Sequence, residues 1–357
     1  MKKQIRVAIL SGLCAAVGVS FVQAQDEVEP EPLWAWAFST QPQPGDQPRA
    51  QIAPSRDLRP GDDPVEINMA RSVEGSSASY SRLDVRDGSN VIDWFPGDHP
   101  PMTDIMRHGP ASMIGNGARG CGSCHLPNGK GRPENAPPAG QPVEYTIQQL
   151  RDMANGLRYS ADPRKPNSPT MNILAAAMTE EEMLEAAEYF AAIPWTPWMT
   201  VMEADMIPEM HLEEGGMYIT VGTEPTEPLN GRIVETPKDD HQANYLRNPR
   251  SGWNVYVPVG SLARGEELVT TGAGKTIQCA ICHGVDLMGL ANVPGIGGGA
   301  PRYMMRQLYD MKVGTRNGVG AALMMPVIAN LTVDDMTDIV AYLASVEPPT
   351  PAPTDPQ

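Results

Sequence analysis

The chain has 357 residues, a net charge of −16, 41% hydrophobic but only 6% aromatic residues, and 34 Gly with 36 Pro. That length suits two or three small domains, and the Gly and Pro content predicts much irregular backbone around a thin side-chain core. The acidic balance argues against nucleic acid or anionic lipid as a partner; it fits plain solubility or a partner with a basic patch.

Residues 1–24 are expected to be a secretory signal. Lys2, Lys3 and Arg6 precede an apolar run from Val7 to Val22, and Ala24 offers a small residue for cleavage. An uncleaved anchor is the rival reading, against which the run is short and rich in Ala and Gly. Export would place the mature protein in the periplasm, and Cys14 would leave with the signal. Residues 25–100 form a Pro-rich extension. Its first part, to about residue 60, reads as extended or disordered, except for the apolar Leu33–Phe38, which is suited to docking. Leu83–Arg86 and Asn90–Phe95 flank Asp87-Gly88, and this pattern predicts a β-hairpin. Thr103–His108 is expected to open a helix.

Cys121-Gly-Ser-Cys124-His125 follows, and the motif returns as Cys279-Ala-Ile-Cys282-His283. In an exported chain this spacing predicts attachment of a c-type haem. Two thiols form thioethers to one porphyrin, and the histidine sits beneath its iron. A disulfide leaves both histidines unexplained, and zinc lacks a fourth ligand in each cluster. After the first motif, Tyr145–Arg158 reads as a helix ending at Gly156. Thr179 and Glu182 make a capping box for a helix with Met183, Ala186, Ala187 and Phe190 as its buried stripe.

Between residues 200 and 258 the helical period is lost. Met217–Val221, Arg232–Glu235 and Trp253–Val257 are expected to be short strands of a small sheet. The first plan then repeats at an offset of 158 residues: Tyr303, Gln307, Leu308, Gly314 and Arg316 stand where Tyr145, Gln149, Leu150, Gly156 and Arg158 stood. After Arg316 the offset shortens to 153, and Thr332 and Asp335 cap a last helix with Met336, Ile339, Val340 and Leu343 inward. Tyr342 matches Tyr189. Residues 347–357 form a Pro-rich tail expected to be solvated.

With these residues in view the chain resembles the diheme cytochromes c built from two class I cytochrome c domains, over roughly residues 100–195 and 259–346. The resemblance implies a mainly α fold, with two tandem small helical bundles, each around one covalent haem. The domains would be 101–199 and 259–346, with a non-helical extension at 25–100 and a β-containing insert at 200–258. It implies two covalently bound haem c groups, with a methionine as second axial ligand to each iron. The repeat places Met171 opposite Met324, and Asn172 opposite Met325; Met325 therefore stays open as an alternative to Met324. Both methionines are read as lying in loops, with Pro326 fixing the second. Met183, Met305, Met311 and Met336 read as core filler.

Each proximal histidine needs its other ring nitrogen satisfied, and Pro137 and Pro294 are candidate carbonyl donors or simple turn formers. His99, His108, His211 and His241 read as surface or supporting residues. The metal ligands expected are thus His125, Met171, His283 and Met324, and the covalent anchors are Cys121, Cys124, Cys279 and Cys282. With both axial positions filled, the function implied is periplasmic electron transfer in a respiratory or dehydrogenase chain. The partners would be redox proteins (an oxidase, a reductase or a dehydrogenase), with membrane contact only through a membrane-bound partner. A diheme enzyme of the peroxidase or thiosulfate-oxidising kind is the alternative, as is a haem subunit docked on a dehydrogenase.

Overall fold

The computed structural model describes residues 31–47, 56, 58–213 and 215–348. The expected signal segment and the tail beyond residue 348 lie outside these residues. The fold is mainly helical, with two helical units of the same plan and a β-containing segment between them in sequence.

The N-terminal extension is neither disordered nor wholly non-helical where it is described. Leu33–Trp36 forms a short helix, α1, and Arg82–Arg86 forms α2. Trp36 is fully buried; its indole donates to Ser160 Oγ at 2.9 Å, and its ring meets Tyr309 edge-on at 5.4 Å. Arg302 Nε and Arg306 Nη1 donate to the carbonyls of Trp34 and Ala35. Backbone acceptors freed by so short a helix are thus satisfied by side chains of another element.

The predicted β-hairpin is not formed. Ser81 accepts from the Asp84 N–H while Asp84 accepts from the Ser81 N–H, and this capping box starts α2 where alternation suggested a strand. Leu83 and Val85 are both buried, although a helix turns residues two apart to different sides. Asn90–Phe95 runs without regular structure; Val91 N–H donates to the Arg107 carbonyl, and Trp94 and Phe95 join a small core with Val73, Val85 and Leu246.

The first helical unit holds α3 (Asp104–His108), α4 (Gly122–His125), α5 (Val143–Ala154), α6 (Asn167–Ala177) and α7 (Glu180–Ala191). The second holds α8 (Ser261–Thr271), α9 (Ala280–His283), α10 (Pro301–Lys312), α11 (Val319–Ile328) and α12 (Val333–Ser345). Both expected capping boxes are present, Thr179 with Glu182 and Thr332 with Asp335. The inward stripes of α7 and α12 are buried as their periodicity predicts. Helices α8 and α12 cross at Gly265, where a Cβ would stand 2.0 Å from the Asp338 carbonyl oxygen. Beside that contact Arg264 makes a two-pronged pair with Asp338 at 2.7 and 2.9 Å.

The segment between the units forms two sheets rather than one. Strands β1 (Met199–Glu203), β4 (Val234–Pro237) and β5 (Trp253–Val257) make the order β1-β5-β4, with β1 parallel and β4 antiparallel to β5. Strands β2 (Met206–Glu213) and β3 (Met217–Pro228) pair as an antiparallel ribbon with register shifts around Pro208. The expected strands at 217–221 and 253–257 lie within β3 and β5, whereas the one expected at 232–235 is displaced by two residues to β4. Neither β1 nor β2 stands out in sequence, since Pro208 and the exposed acidic positions of β2 break its alternation. Among the described residues no single helix is long and apolar enough to cross a membrane.

Candidate functional site

The two Cys-x-x-Cys-His motifs sit on the one-turn helices α4 and α9, and both line one continuous cavity of about 750 Å³. Its wall is mostly apolar. Leu150, Leu174, Phe190 and Ile193 come from the first unit; Leu308, Ile328, Val340 and Leu343 come from the second. No disulfide joins Cys121, Cys124, Cys279 or Cys282 in the structure. Among the described residues no cluster of three or more His, Cys, Asp or Glu is arranged to hold a separate metal ion.

Each proximal histidine is fixed by a backbone carbonyl. His125 Nδ1 meets the Ala136 oxygen at 2.7 Å, and His283 Nδ1 meets the Pro294 oxygen at 2.8 Å. Pro294 was anticipated; in the first unit the acceptor is Ala136 rather than Pro137. Ala136 is the residue one repeat offset before Pro294, so the two sites use the same place in the repeat. Burial also lowers the basicity of both imidazoles, favouring the neutral ring. With Nδ1–H committed to a carbonyl, Nε2 keeps its lone pair for a metal. Phe190 closes on His125 edge-to-face at 5.8 Å.

Met171 and Met324 both line the cavity, but on helices rather than loops. Met171 lies on α6, where Pro169 falls in the first turn and is tolerated. Met324 lies on α11, with Pro326 inside the helix. Both segments are rich in Ala, Leu and Met, whose helix preference prevails over the scattered prolines. Their neighbours point elsewhere. Asn172 Nδ2 donates to the carbonyls of Met153 and Arg158 at 2.8 and 2.9 Å, tying α6 to the end of α5. Met325 is 41% exposed and does not border the cavity. Met183, Met305 and Met336 are buried in helix packing as expected; Met311 is buried too but borders the cavity, as does Met153 at the same repeat position. His99, His108, His211 and His241 lie outside the cavity lining.

One feature was visible only as a repeated residue pattern. Arg158 donates to Tyr303 Oη and Gln307 Oε1 of the second unit, each at 2.8 Å, and to Gln149 Oε1 at 3.1 Å. Arg316 in turn donates to Tyr145 Oη at 3.1 Å, Gln149 Oε1 at 2.9 Å and Gln307 Oε1 at 3.3 Å. The backbones pair alongside, Tyr159 N–H to the Thr315 carbonyl and Asn317 N–H to that of Leu157. All six side chains border the cavity. Burial alone would raise the Tyr145 phenol, but Arg316 and Arg158 outweigh it and hold it below the usual value. The signal available in sequence was an arginine at the same place in both repeats.

The donor set and the wall suit a covalent porphyrin: paired thiols, a neutral carbonyl-anchored imidazole and a facing thioether around apolar space. A cytochrome c family model matches residues 262–347. The chain is 36% identical to cytochrome c-554(548) of Halomonas halodenitrificans over 89 residues, 25% of this chain and 99% of that protein. It is 32% identical to cytochrome c4 of Azotobacter vinelandii over 106 residues, 28% of this chain and 50% of that protein. Among solved structures, reduced recombinant cytochrome c4 from Pseudomonas stutzeri aligns at 19% identity and a TM-score of 0.41, covering 64% of this chain and 93% of that one. The chain belongs to the cytochrome c family. It is an electron-transfer protein that holds haem c covalently.

Proposed function

We propose that the protein is a diheme electron carrier of the periplasm, exchanging electrons with redox protein partners. Cys121, Cys124, Cys279 and Cys282 would bind two haems, with axial pairs His125/Met171 and His283/Met324. Residues 101–199 and 259–346 would form the two haem domains, and residues 1–24 the export signal. The observation that carries this reading is the equivalence of the two cavity halves: each has its Cys-x-x-Cys-His helix, its carbonyl-anchored imidazole and a methionine at the same repeat position.

A haem bound here would supply one-electron exchange between ferric and ferrous iron. The chain's own residues keep each imidazole neutral and oriented, exclude water with apolar side chains, and offer a soft thioether that favours the ferrous state. A methionine available to each half argues for carriage over catalysis, because with its histidine it would leave a bound haem no free coordination position.

Mass spectrometry of the exported protein is expected to show two covalent haems and loss of residues 1–24. A redox titration followed by optical and electron paramagnetic resonance spectra is expected to show two low-spin His/Met centres. A high-spin or bis-histidine centre, or substantial peroxide turnover by the half-reduced protein, would favour the enzyme reading instead.

A further inference from the structure

The Pro294 carbonyl that meets His283 Nδ1 at 2.8 Å shares its peptide group with the Gly295 N–H. That N–H is taken up by the first unit. It donates to Gln141 Oε1 at 3.0 Å, and Gln141 Nε2 donates back to the Gly295 carbonyl at 3.0 Å. A residue offering one N–H and one C=O fixes which way round a side-chain amide lies, so the two bonds settle the orientation of Gln141. A chain of contacts thus runs from Gln141 Oε1, through the Pro294–Gly295 peptide, to the His283 ring. Gln141, Pro294, Gly295 and His283 all border the cavity.

Both ends of this chain are held. Gly295 lies so close to its own unit that a Cβ there would stand 2.8 Å from the Met288 carbonyl oxygen. On either side of the peptide, Val293 N–H donates to the Leu290 carbonyl at 2.9 Å and Ile296 N–H to that of Leu287 at 2.8 Å. Gln141 stands on a turn, its N–H donating to the Pro138 carbonyl at 3.2 Å. Gly140 before it, at φ 69°, donates to the Phe190 carbonyl in α7 at 2.9 Å. The first histidine has no such chain. The Ala136 carbonyl shares its peptide with Pro137, which has no N–H. Asn135 next to it donates to the Cys124 carbonyl at 3.1 Å, within the same unit. The counterpart of Gln141 one repeat later is Gly299, which has no side chain to return the contact.

We propose that Gln141 is a positioning residue for the second haem site: from the first unit it orients and polarises the peptide that accepts from His283, and so lowers the potential of the second iron. The proposal rests on the diheme reading above. An acceptor on a peptide N–H draws electron density onto that peptide's carbonyl oxygen, which then accepts more strongly. A stronger acceptor at Nδ1 makes the imidazole a better donor at Nε2, which favours the ferric state. The influence runs one way, from the first unit to the second.

The test uses the full holoprotein in a redox titration, with the axial methyl resonances of Met171 and Met324 in proton NMR following the two sites separately. Gln141→Leu keeps the bulk and removes both bonds. It is expected to raise the equilibrium constant for reducing the second haem about threefold, which is about 30 mV for one electron. The first haem should stay unchanged, and the His283 Nδ1–H resonance of the ferrous protein should move upfield. Gln141→Glu still presents an oxygen to the Gly295 N–H, and is expected to hold the second potential at or below the wild-type value. A purely structural role would move both variants the same way. A change under about 1.5-fold in Gln141→Leu, an equal rise in Gln141→Glu, or an equal shift of both haems would overturn the proposal. Amide hydrogen exchange of the wild type gives a reading that needs no variant: the Gly295 N–H is expected to be protected, and exchange as fast as that of an open loop would also overturn it. A wild-type protein with one haem would sink the diheme reading, whereas two haems with an unmoved His283 resonance in Gln141→Leu would sink this proposal alone.

Discussion

Tyr189 and Tyr342 hold the same place in two helices that start with the same capping box, yet they live differently. Tyr189 is 4% exposed, its hydroxyl donating to Pro127 O and meeting His99 Nδ1 at 2.8 Å. Tyr342 stays half-open beside the α8 crossing. The same contrast holds at Ser123, which is buried, and Ile281, which is exposed. The repeats share the residues proposed to hold a haem and differ in the segments around them. The extension meets the first unit through Val91 at Gly122 and His99 at Tyr189, and reaches the second through Trp36, on the side of α10 away from the cavity. The motif and its helices are thus a short local plan, while what covers them comes from segments far away in sequence.

That comparison can be broken most directly at the anchors. Replacing Cys279 and Cys282 together with Ala is expected to halve the covalent haem content, leaving the first site loaded; mass spectrometry reads the outcome. Loss of both haems would mean that the units do not mature separately.

Trp36→Ala comes next. It removes a fully buried indole and its bond to Ser160, and is expected to cost about 3–5 kcal/mol in a denaturant melt of the holoprotein. A loss below about 1 kcal/mol would show that the extension does not brace the second unit.

Met324→Ala is expected to remove half of the far-red methionine–iron absorption of the oxidised protein, and Met171→Ala the other half. Met325→Ala should leave that absorption intact. If Met325→Ala halves it and Met324→Ala does not, the ligand register of the second unit is wrong.

A smaller effect concerns pH. Burial lowers the His99 imidazole, but Asp93, 3.2 Å from Nε2, and the Pro100 carbonyl outweigh it and raise its pKa in the folded protein. A raised folded value means that the stabilisation is fully present below the unfolded pKa of about 6.5 and is lost as pH rises through the folded value. The melting temperature should therefore fall across that window in the wild type and change less in His99→Gln. An unchanged pH profile in the variant would remove His99 from the account. The second unit has a tyrosine at the matching place but no histidine against it among the described contacts.

Smallest of all is Lys275→Ala. Its pair with Asp335 at 2.7 Å is half-exposed on the lysine side, and its loss should cost no more than about 1 kcal/mol in the same melts.

The parts legible in sequence were those written locally. The haem motifs, the capping boxes at Thr179 and Thr332 and the helical stripes each fit within a few turns, and the repeat offset aligned Met171 with Met324. The offset also contained the Ala136 contact: carrying Pro294 back by 158 residues lands on Ala136, where the presence of Pro137 next to it misdirected the reading. The predicted hairpin failed because Asp87-Gly88 is a good turn signal in either setting, and the Ser81–Asp84 box upstream decided for a helix. The helices bearing Met171 and Met324 were hidden by prolines: Pro169 falls in a first turn, which accepts it, and Pro326 lies inside α11 despite the lost backbone donor. The pairing of Arg158 with Tyr303 spans 145 residues, and no local pattern announces a contact at that separation.

The crossing of Arg158 and Arg316 bears on how the chain can be divided. Shortly after α5 and again after α10 stands an arginine whose phenol acceptor belongs to the other unit. A chain cut between residues 199 and 200 would leave Arg158 without Tyr303 and Gln307, and Tyr145 without Arg316. The resulting fragments would expose the cavity along its shared wall. The chain carries two copies of one plan, and each copy lines the other. Substitutions at any of these six positions are therefore constrained by the opposite repeat, and the natural unit of inheritance, expression and engineering is the pair.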